Sequence, residues 1–247
     1  MPAKQIVAIY NGRGVSAHSY RRLRQLLADS FETISINPAQ INSGELSAEL
    51  AAIVFPGGAD VPYDRALTDA GIKHIRNFVE NGGLYVGVCA GSYFAGKAVD
   101  FTCADGAKIC ESRRLKFFQG IVQGPAYGNY IKNSHESAKL VELKIQAKIY
   151  QAYFNGGGHF IADASFKDSE ILATYADSDL PAALHLNIGN GQVFLCAFHP
   201  EYNNDFLHKP VNAKENGSEA LLLMLSKGGI SENIGNWFVQ TISKSLL

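Results

Sequence analysis

The chain has 247 residues, of which 47% are hydrophobic, and its formal net charge at pH 7 is −1. This length and apolar content suffice for one large core, and the balanced charge argues against nucleic-acid and membrane-surface partners. Four cysteines do not make a disulfide framework, and the chain shows neither a signal-like start nor a membrane-spanning run, so we expect a cytoplasmic protein.

The first hundred residues alternate short apolar runs with amphipathic segments. The short apolar runs predict strands over residues 6–10, 33–36, 51–55 and 84–88. Helical spacing of the apolar residues predicts helices over residues 18–28 and 66–79, and a further helix is expected after Cys89. Short apolar strands that alternate with amphipathic helices are typical of a parallel sheet covered on both faces, so we expect an α/β fold.

The remaining chain is less regular at first. Residues 99–137 mix glycine, asparagine and charged residues with short apolar pieces, and they predict irregular structure. Strands are then predicted over residues 141–145, 150–154, 171–175, 182–186 and 192–198, with a hairpin loop between the last two. Helices are predicted over residues 218–226 and 232–243. We expect a single domain over residues 1–247, with residues 203–247 as a helical extension packed on it.

Cys89 lies in the sequence Gly-Val-Cys-Ala-Gly, directly after the strand predicted over residues 84–88. A sharp strand-to-helix turn lifts its central side chain clear of the sheet, and glycines two residues to either side let the strand and helix approach closely. The first amides of the following helix carry partial positive charge, which favours a thiolate. The motif indicates a nucleophilic cysteine; a buried cysteine in a glycine-rich strand is the alternative interpretation.

A cysteine nucleophile needs a base and a group that orients the base. His199 follows the apolar strand predicted over residues 192–198, and Glu201 lies two residues further on. Pro200 biases His199 towards an extended backbone, and the Glu201 carboxylate is close enough in sequence to hold one imidazole nitrogen. An exposed loop with incidental charges is the alternative interpretation.

An oxyanion hole is predicted from the Pro-Gly-Gly sequence after the strand at residues 51–55. The amides of Gly57, Gly58 and Ala90 would bind the oxyanion, although Pro-Gly-Gly is also a common plain turn. All three motifs directly follow apolar strands. They should therefore meet at the carboxyl edge of one sheet, where ligands bind in open α/β folds.

Together these motifs resemble the class I glutamine amidotransferase-like superfamily. The resemblance implies a flavodoxin-like three-layer sandwich, with a mostly parallel central sheet and helices on both faces. In that superfamily a Cys-His-Glu triad, here Cys89, His199 and Glu201, attacks the side-chain amide of glutamine and releases ammonia. Over residues 6–201 the chain is also similar to the N-terminal domain of eukaryotic-type biotin–protein ligases and its stand-alone bacterial relatives. That narrower similarity is carried by residues 10–15, 55–63, 124–127 and 154–158.

The chain departs from the superfamily at Tyr93. Members that use glutamine usually carry a glutamine at this position, two residues after the second glycine of the cysteine motif. A tyrosine there would narrow or reshape the pocket and replace amide hydrogen bonds with one hydroxyl. The resemblance therefore implies an intact triad without glutamine as the substrate. No Gly-Arg-rich biotin-adenylate loop occurs in the sequence, so we expect that this chain alone does not transfer biotin.

Further pocket residues are predicted around the cysteine. The family resemblance singles out Tyr93, Asp60 and Tyr127, while Asn155, Gly156 and Gly157 follow a predicted strand and are expected to line the pocket. His159 is predicted to face solvent in a loop, and Arg113 belongs to a basic cluster that is predicted to be solvated. No paired histidines or cysteines occur at ligand spacing, so we predict no metal and no other cofactor.

We predict a cysteine-dependent amide hydrolase or amidotransferase-like protein, without the biotin ligase catalytic module, that acts on a small amide or a peptide. One alternative is a non-catalytic binding or regulatory module of the same fold, which recognises a ligand or a partner such as a separate ligase or acceptor protein. Another is a cysteine peptidase or stress-response thiol protein of the broader superfamily. Reactivity of Cys89 and the geometry of His199 and Glu201 discriminate between these hypotheses.

Overall fold

The computed structural model describes residues 3–164, 169–208 and 218–247. The described strands are β1 (Ile6–Tyr10), β2 (Glu32–Ile36), β3 (Leu50–Phe55), β4 (Leu84–Val88), β5 (Gly96–Thr102), β6 (Lys108–Ser112), β7 (Phe118–Gly124), β8 (Lys139–Ile145), β9 (Lys148–Phe154), β10 (His159–Ala162), β11 (Ser169–Tyr175), β12 (Pro181–Ile188) and β13 (Gly191–Cys196). The described helices are α1 (Ala17–Leu27), α2 (Pro38–Ser43), α3 (Asp60–Ala66), α4 (Asp69–Glu80), α5 (Ala90–Ala95), α6 (Asn204–His208), α7 (Ser218–Ser226) and α8 (Asn233–Ser245).

The central sheet has nine strands in the order β2-β1-β3-β4-β13-β12-β11-β8-β9. The first five strands are mutually parallel, and their order is that of flavodoxin-like folds. The other four pairings are antiparallel, so the complete sheet is mixed. The expected α/β fold class is confirmed, as is the hairpin that joins β12 to β13, whose closing pair is Ile188 and Gly191.

Buried side chains alternate between the two faces of the parallel strands, and each face packs against helices. One face joins its core to α1 and α8 through residues that include Val7, Ile9, Val54, Val86, Leu23, Leu27, Phe238 and Ile242. The other face packs against α4 and α5 through residues that include Ala8, Tyr10, Ile53, Phe55, Tyr85, Ile75, Val79 and Phe94. The sheet is therefore the middle layer of three, because strand side chains point alternately to opposite faces.

A second sheet, in the order β10-β7-β5-β6, occupies the region that we expected to be irregular. The prediction for residues 99–137 is wrong in this respect. Strands β5 and β7 alternate buried and exposed residues, because this sheet is covered on one face only. Polar residues on the open face and glycines on the covered face interrupt the apolar runs that identify the central strands.

The helix predicted over residues 66–79 is also wrong at its start. Two helices, α3 and α4, cover this part of the chain, and Thr68 separates them. The Thr68 hydroxyl accepts a hydrogen bond of 3.1 Å from the Gly71 amide, which caps α4. Helix α3 therefore begins at Asp60, directly after the predicted oxyanion loop.

The described part of residues 203–247 consists mainly of α6, α7 and α8. Trp237 of α8 stacks on Phe198 with ring centroids 6.0 Å apart, and Phe238 contacts Phe194, so α8 lies over the end of β13. The single-domain organisation of the whole chain stays a prediction. Of the helices that are described, none is both long and apolar enough to cross a membrane.

Candidate active site

The three predicted motifs follow adjacent strands of the central sheet. Strands β3 and β4 are parallel neighbours, with Phe55 opposite Gly87, and β4 and β13 are parallel neighbours, with Val88 opposite Cys196. The glycine loop, Cys89 and His199 therefore emerge side by side at the carboxyl edge. This placement agrees with the reasoning from the sequence.

Cys89 has a backbone conformation that non-glycine residues seldom adopt, with φ 48° and ψ −101°. Its amide donates a 2.7 Å hydrogen bond to the Cys196 carbonyl, and α5 begins at the next residue. A Cβ atom at Gly91 would overlap the Phe55 carbonyl, and one at Gly87 would crowd the Gly91 carbonyl. The two glycines thus permit the tight packing that holds the turn, as the motif predicted.

His199 and Glu201 are both buried and form a short hydrogen bond. His199 Nδ1 donates to Glu201 Oε1 over 2.8 Å. Burial lowers the pKa of His199, but the negative charges of Glu201 and Cys89 and the hydrogen bond to Glu201 outweigh it and raise this pKa to about 10. The imidazole therefore favours its protonated form.

Ser19 of α1 is a site residue that the sequence analysis missed. Its hydroxyl donates to Glu201 Oε1 over 2.6 Å and accepts a 2.9 Å hydrogen bond from the Gly57 amide. The side chain is fully buried and follows the stripe of buried positions 19, 23 and 27 on α1. A serine in an otherwise apolar helical stripe was the signal that could have identified it, since buried hydroxyls need partners.

The Gly57 amide is occupied by Ser19, so the prediction that this amide contributes to an oxyanion hole is wrong. Gly57 instead makes room for the base, because a Cβ atom there would overlap His199 Cε1. Among the described residues, neither the Gly58 amide nor the Ala90 amide donates to a loop carbonyl or a side chain. These two amides are the remaining candidates for binding an oxyanion.

Cys89 lies at the junction of two cavities. The first, which we call the elbow cavity, has a volume of about 820 Å³ and contacts Ala90, Tyr93 and Asp60. The second, which we call the histidine cavity, has a volume of about 620 Å³ and contacts His199. Gly58 and Cys89 line both.

Four of the predicted pocket residues line these cavities, and Asp60 is one of them. Tyr93 and Gly156 line the elbow cavity, and Asn155 lines both cavities. The Tyr93 hydroxyl donates to the Gly156 carbonyl over 3.0 Å. This hydrogen bond joins two residues of the elbow-cavity wall and uses the hydroxyl proton. Tyr93 thus lines the pocket, but its hydroxyl is no free donor for a substrate.

Two other predicted pocket residues do not line either cavity. The Tyr127 hydroxyl donates to Asp177 over 2.7 Å, and its ring packs edge-on against Phe154. Gly157 lies against the Ala197 carbonyl, where a side chain would not fit. Both residues support the loop that carries Asn155, and their direct contact with a substrate stays a prediction.

Asp60 lines the elbow cavity but is held by a buried arginine. Arg113, 2% exposed, donates from Nε to Asp60 Oδ2 over 2.7 Å. Burial raises the pKa of Asp60, and the charge of Arg113 opposes this rise. The prediction that Arg113 is solvated is wrong, because the arginine neutralises a carboxylate that the fold buries.

His159 is also buried, contrary to the expected solvent-facing loop. It begins β10, and burial lowers its pKa. It lines neither cavity, so it is not a second base at Cys89. Within the described ranges, no group of three or more His, Cys, Asp or Glu side chains is arranged to hold a metal ion.

Comparison with known proteins agrees with this architecture. The solved structure of PurLQS from Thermotoga maritima superposes with a TM-score of 0.52 at 15% identity, covering 91% of this chain and 99% of that one. The fold is that of class I glutamine amidotransferase-like proteins. Within that class, the family model for the N-terminal domain of biotin–protein ligase matches residues 5–233, and the chain belongs to this family.

Two relatives are similar to the chain in sequence. A biotin–protein ligase of Schizosaccharomyces pombe is 28% identical over 210 residues, which are 80% of this chain and 33% of the ligase. An uncharacterized protein of Chlamydia muridarum is 32% identical over 216 residues, which are 82% of each chain. The chain therefore spans about a third of the length of the yeast ligase.

Proposed function

We propose that the protein is a cysteine-dependent amide hydrolase or amidotransferase-like enzyme. The observation that carries the proposal is the buried His199 imidazole, which is hydrogen-bonded to Glu201 and lines the same cavity as Cys89. A nucleophile, a base and a group that orients the base are the parts that thiol-based acyl transfer requires. The unusual backbone of Cys89 adds support, because strained residues that the surrounding structure holds in place cluster at functional sites.

In the proposed reaction the Cys89 sulfur attacks the amide carbonyl carbon and forms a C–S bond. The carbonyl electron pair moves to oxygen, where the Gly58 and Ala90 amides stabilise the charge. The imidazolium of His199 protonates the nitrogen as the C–N bond breaks and the amine leaves. Water, deprotonated by His199, then attacks the thioester carbonyl and forms a C–O bond, and the C–S bond breaks, which releases the carboxylic acid and restores the thiolate. Glu201 and Ser19 hold the imidazole in orientation throughout.

Alkylation of Cys89 tests the nucleophile directly. An ordinary thiol has a pKa of about 8.5, so only about 0.3% is thiolate at pH 6. The proposal predicts that iodoacetamide labels Cys89 at pH 6 at least tenfold faster than the half-buried Cys103 or the exposed Cys110, as read by peptide mass spectrometry. The variant His199→Gln should remove this advantage. Equal labelling of all three thiols at pH 6 would refute an activated nucleophile.

Turnover provides the second test. Amines released from a panel of glutamine, other small amides and short peptides would be measured for the wild type, Cys89→Ala and Cys110→Ala. The proposal predicts release by the wild type and by Cys110→Ala, and none by Cys89→Ala. Efficient hydrolysis of glutamine would contradict our interpretation of Tyr93.

A second candidate function is a regulatory or binding module that acts with a biotin ligase. The similarity to one third of the yeast ligase favours it, because in that relative the matching segment is part of a longer chain described as a ligase. Under this hypothesis Cys89→Ala still binds its ligand or partner normally, and no amide in the panel is cleaved. Rapid labelling of Cys89 combined with cleavage of any amide would exclude it.

A further inference from the structure

The two cavities at Cys89 are lined by different groups of the proposed catalytic site. This difference assigns one half of the substrate to each cavity. In the proposed reaction the leaving nitrogen takes its proton from His199, so the amine lies on the His199 side of the sulfur. Only the histidine cavity contacts His199, and only the elbow cavity contacts Ala90. The amine half of the amide therefore occupies the histidine cavity, and the acyl half occupies the elbow cavity.

The elbow cavity suits a large apolar acyl group. Its wall includes Val61, Tyr93, Phe101 and Ile109. Its volume of about 820 Å³ lies in the range of about 300–1,000 Å³ that accommodates drug-sized ligands. The acyl half of glutamine is much smaller than such a ligand, and the Tyr93 hydroxyl, donated to Gly156, offers no proton to an amino acid head group.

The histidine cavity suits an anionic amine. Among the described residues that line it, none is an aspartate or a glutamate, whereas Asp60, Asp105 and Glu111 line the elbow cavity together with Arg65 and Lys132. Lys132, which lines both cavities, lies in its wall, as do His18 and His135, and His199 adds a positive charge to this wall. Hydrogen-bonding side chains of Ser16 and Asn155 complete a wall that can receive a carboxylate.

We propose that the substrate is an amide with a bulky apolar acyl half and a leaving amine that carries a carboxylate, as in an N-acyl amino acid or the C-terminal residue of a peptide. This assignment rests on the proposed cysteine-dependent reaction. It places the carboxylate near Lys132 and the acyl chain against Tyr93 and Phe101. Release of free ammonia from a primary amide uses neither the positive charge of the histidine cavity nor the size of the elbow cavity.

Matched substrates separate the two halves of the inference. Phenylbutanoyl-alanine and phenylbutanoyl-alaninamide differ only in the carboxylate, and acetyl-alanine shortens the acyl group. An ion pair in a water-accessible cavity contributes up to about 1 kcal/mol, so we expect kcat/KM to be about fivefold higher for the carboxylate than for the carboxamide. We expect at least a tenfold loss with the acetyl substrate.

Charge variants test which side chain binds the substrate carboxylate. Lys132→Glu should abolish or reverse the preference for the carboxylate, whereas Lys73→Glu, an exposed lysine on α4 outside both cavities, should retain it. Equal kcat/KM for the matched pair, or a preference that Lys132→Glu leaves unchanged, would overturn the inference. Cleavage of both substrates without a preference for the carboxylate would leave the proposed function intact.

Binding distinguishes the inference from the reaction on which it rests. If the wild type cleaves no amide in the series, the proposed function fails, and calorimetric titration of Cys89→Ala with the same pair decides the inference. Tighter binding of phenylbutanoyl-alanine than of its carboxamide, lost in the Cys89→Ala, Lys132→Glu double variant, supports binding of the carboxylate at Lys132. Equal binding, or no binding of either compound, refutes it.

Discussion

Ser19 connects the base to the glycine loop, and its removal is the sharpest single perturbation of the site. Ser19→Ala deletes the 2.6 Å hydrogen bond to Glu201 Oε1 and leaves the buried Gly57 amide without its 2.9 Å acceptor. A hydrogen bond to a charged group contributes about 1.5–3 kcal/mol, and an unpaired buried polar group costs about 1–3 kcal/mol. We expect the free energy of unfolding to fall by about 3 kcal/mol.

Equilibrium urea unfolding and calorimetry would measure this change. For a chain of this size about 3 kcal/mol corresponds to a Tm lower by roughly 6–12 °C. Ser226→Ala is the matched control, because the Ser226 hydroxyl is exposed and donates only to the Leu223 carbonyl in its own helix. That variant should stay within about 0.5 kcal/mol of the wild type.

The same variant separates a structural from a positioning role. If Ser19 also orients Glu201, labelling of Cys89 by iodoacetamide at pH 6 should slow several-fold in Ser19→Ala under conditions where the variant is fully folded. A loss of stability below about 1 kcal/mol would refute the hydrogen-bond reasoning. Unchanged labelling with the full loss of stability would restrict Ser19 to a structural role.

Two further perturbations address the carboxylate and the tyrosine. Because the pKa of His199 is raised from 6.5 to about 10, its contribution to stability is fully present below pH 6.5 and is lost as pH rises through 10. Glu201→Gln removes one cause of that rise, so urea unfolding at pH 6.5, 8 and 10 should show a shallower loss in the variant; an equal slope would contradict the coupling. Tyr93→Phe deprives the buried Gly156 carbonyl of its 3.0 Å donor and should cost about 1–2 kcal/mol, measured by the same unfolding assay, with Cys89 labelling at pH 6 unchanged. A stability equal to that of the wild type would show that this hydrogen bond contributes nothing.

Local sequence patterns were sufficient to predict strands that are buried on both faces. Strands β1, β3 and β4 appear as short apolar runs, and the glycines around Cys89 mark a turn that sterics impose on any sequence. The small sheet of β5, β6, β7 and β10 was missed because one of its faces is open and its polar residues disguise the alternation. Helix α3 was missed because its seven residues show too little periodicity.

The sequence by itself determined the α/β class. It also placed the glycine loop, Cys89 and His199 at one edge of the sheet, because parallel strands in this order expose their carboxyl ends together. Only the tertiary structure decided which groups complete the site. Ser19 and Glu201 are 182 residues apart, and Asp60 and Arg113 are 53 apart, so no local pattern links them. Burial forces such polar groups to find partners across the fold, and here Ser19 accepts the hydrogen bond of the Gly57 amide and Arg113 holds Asp60.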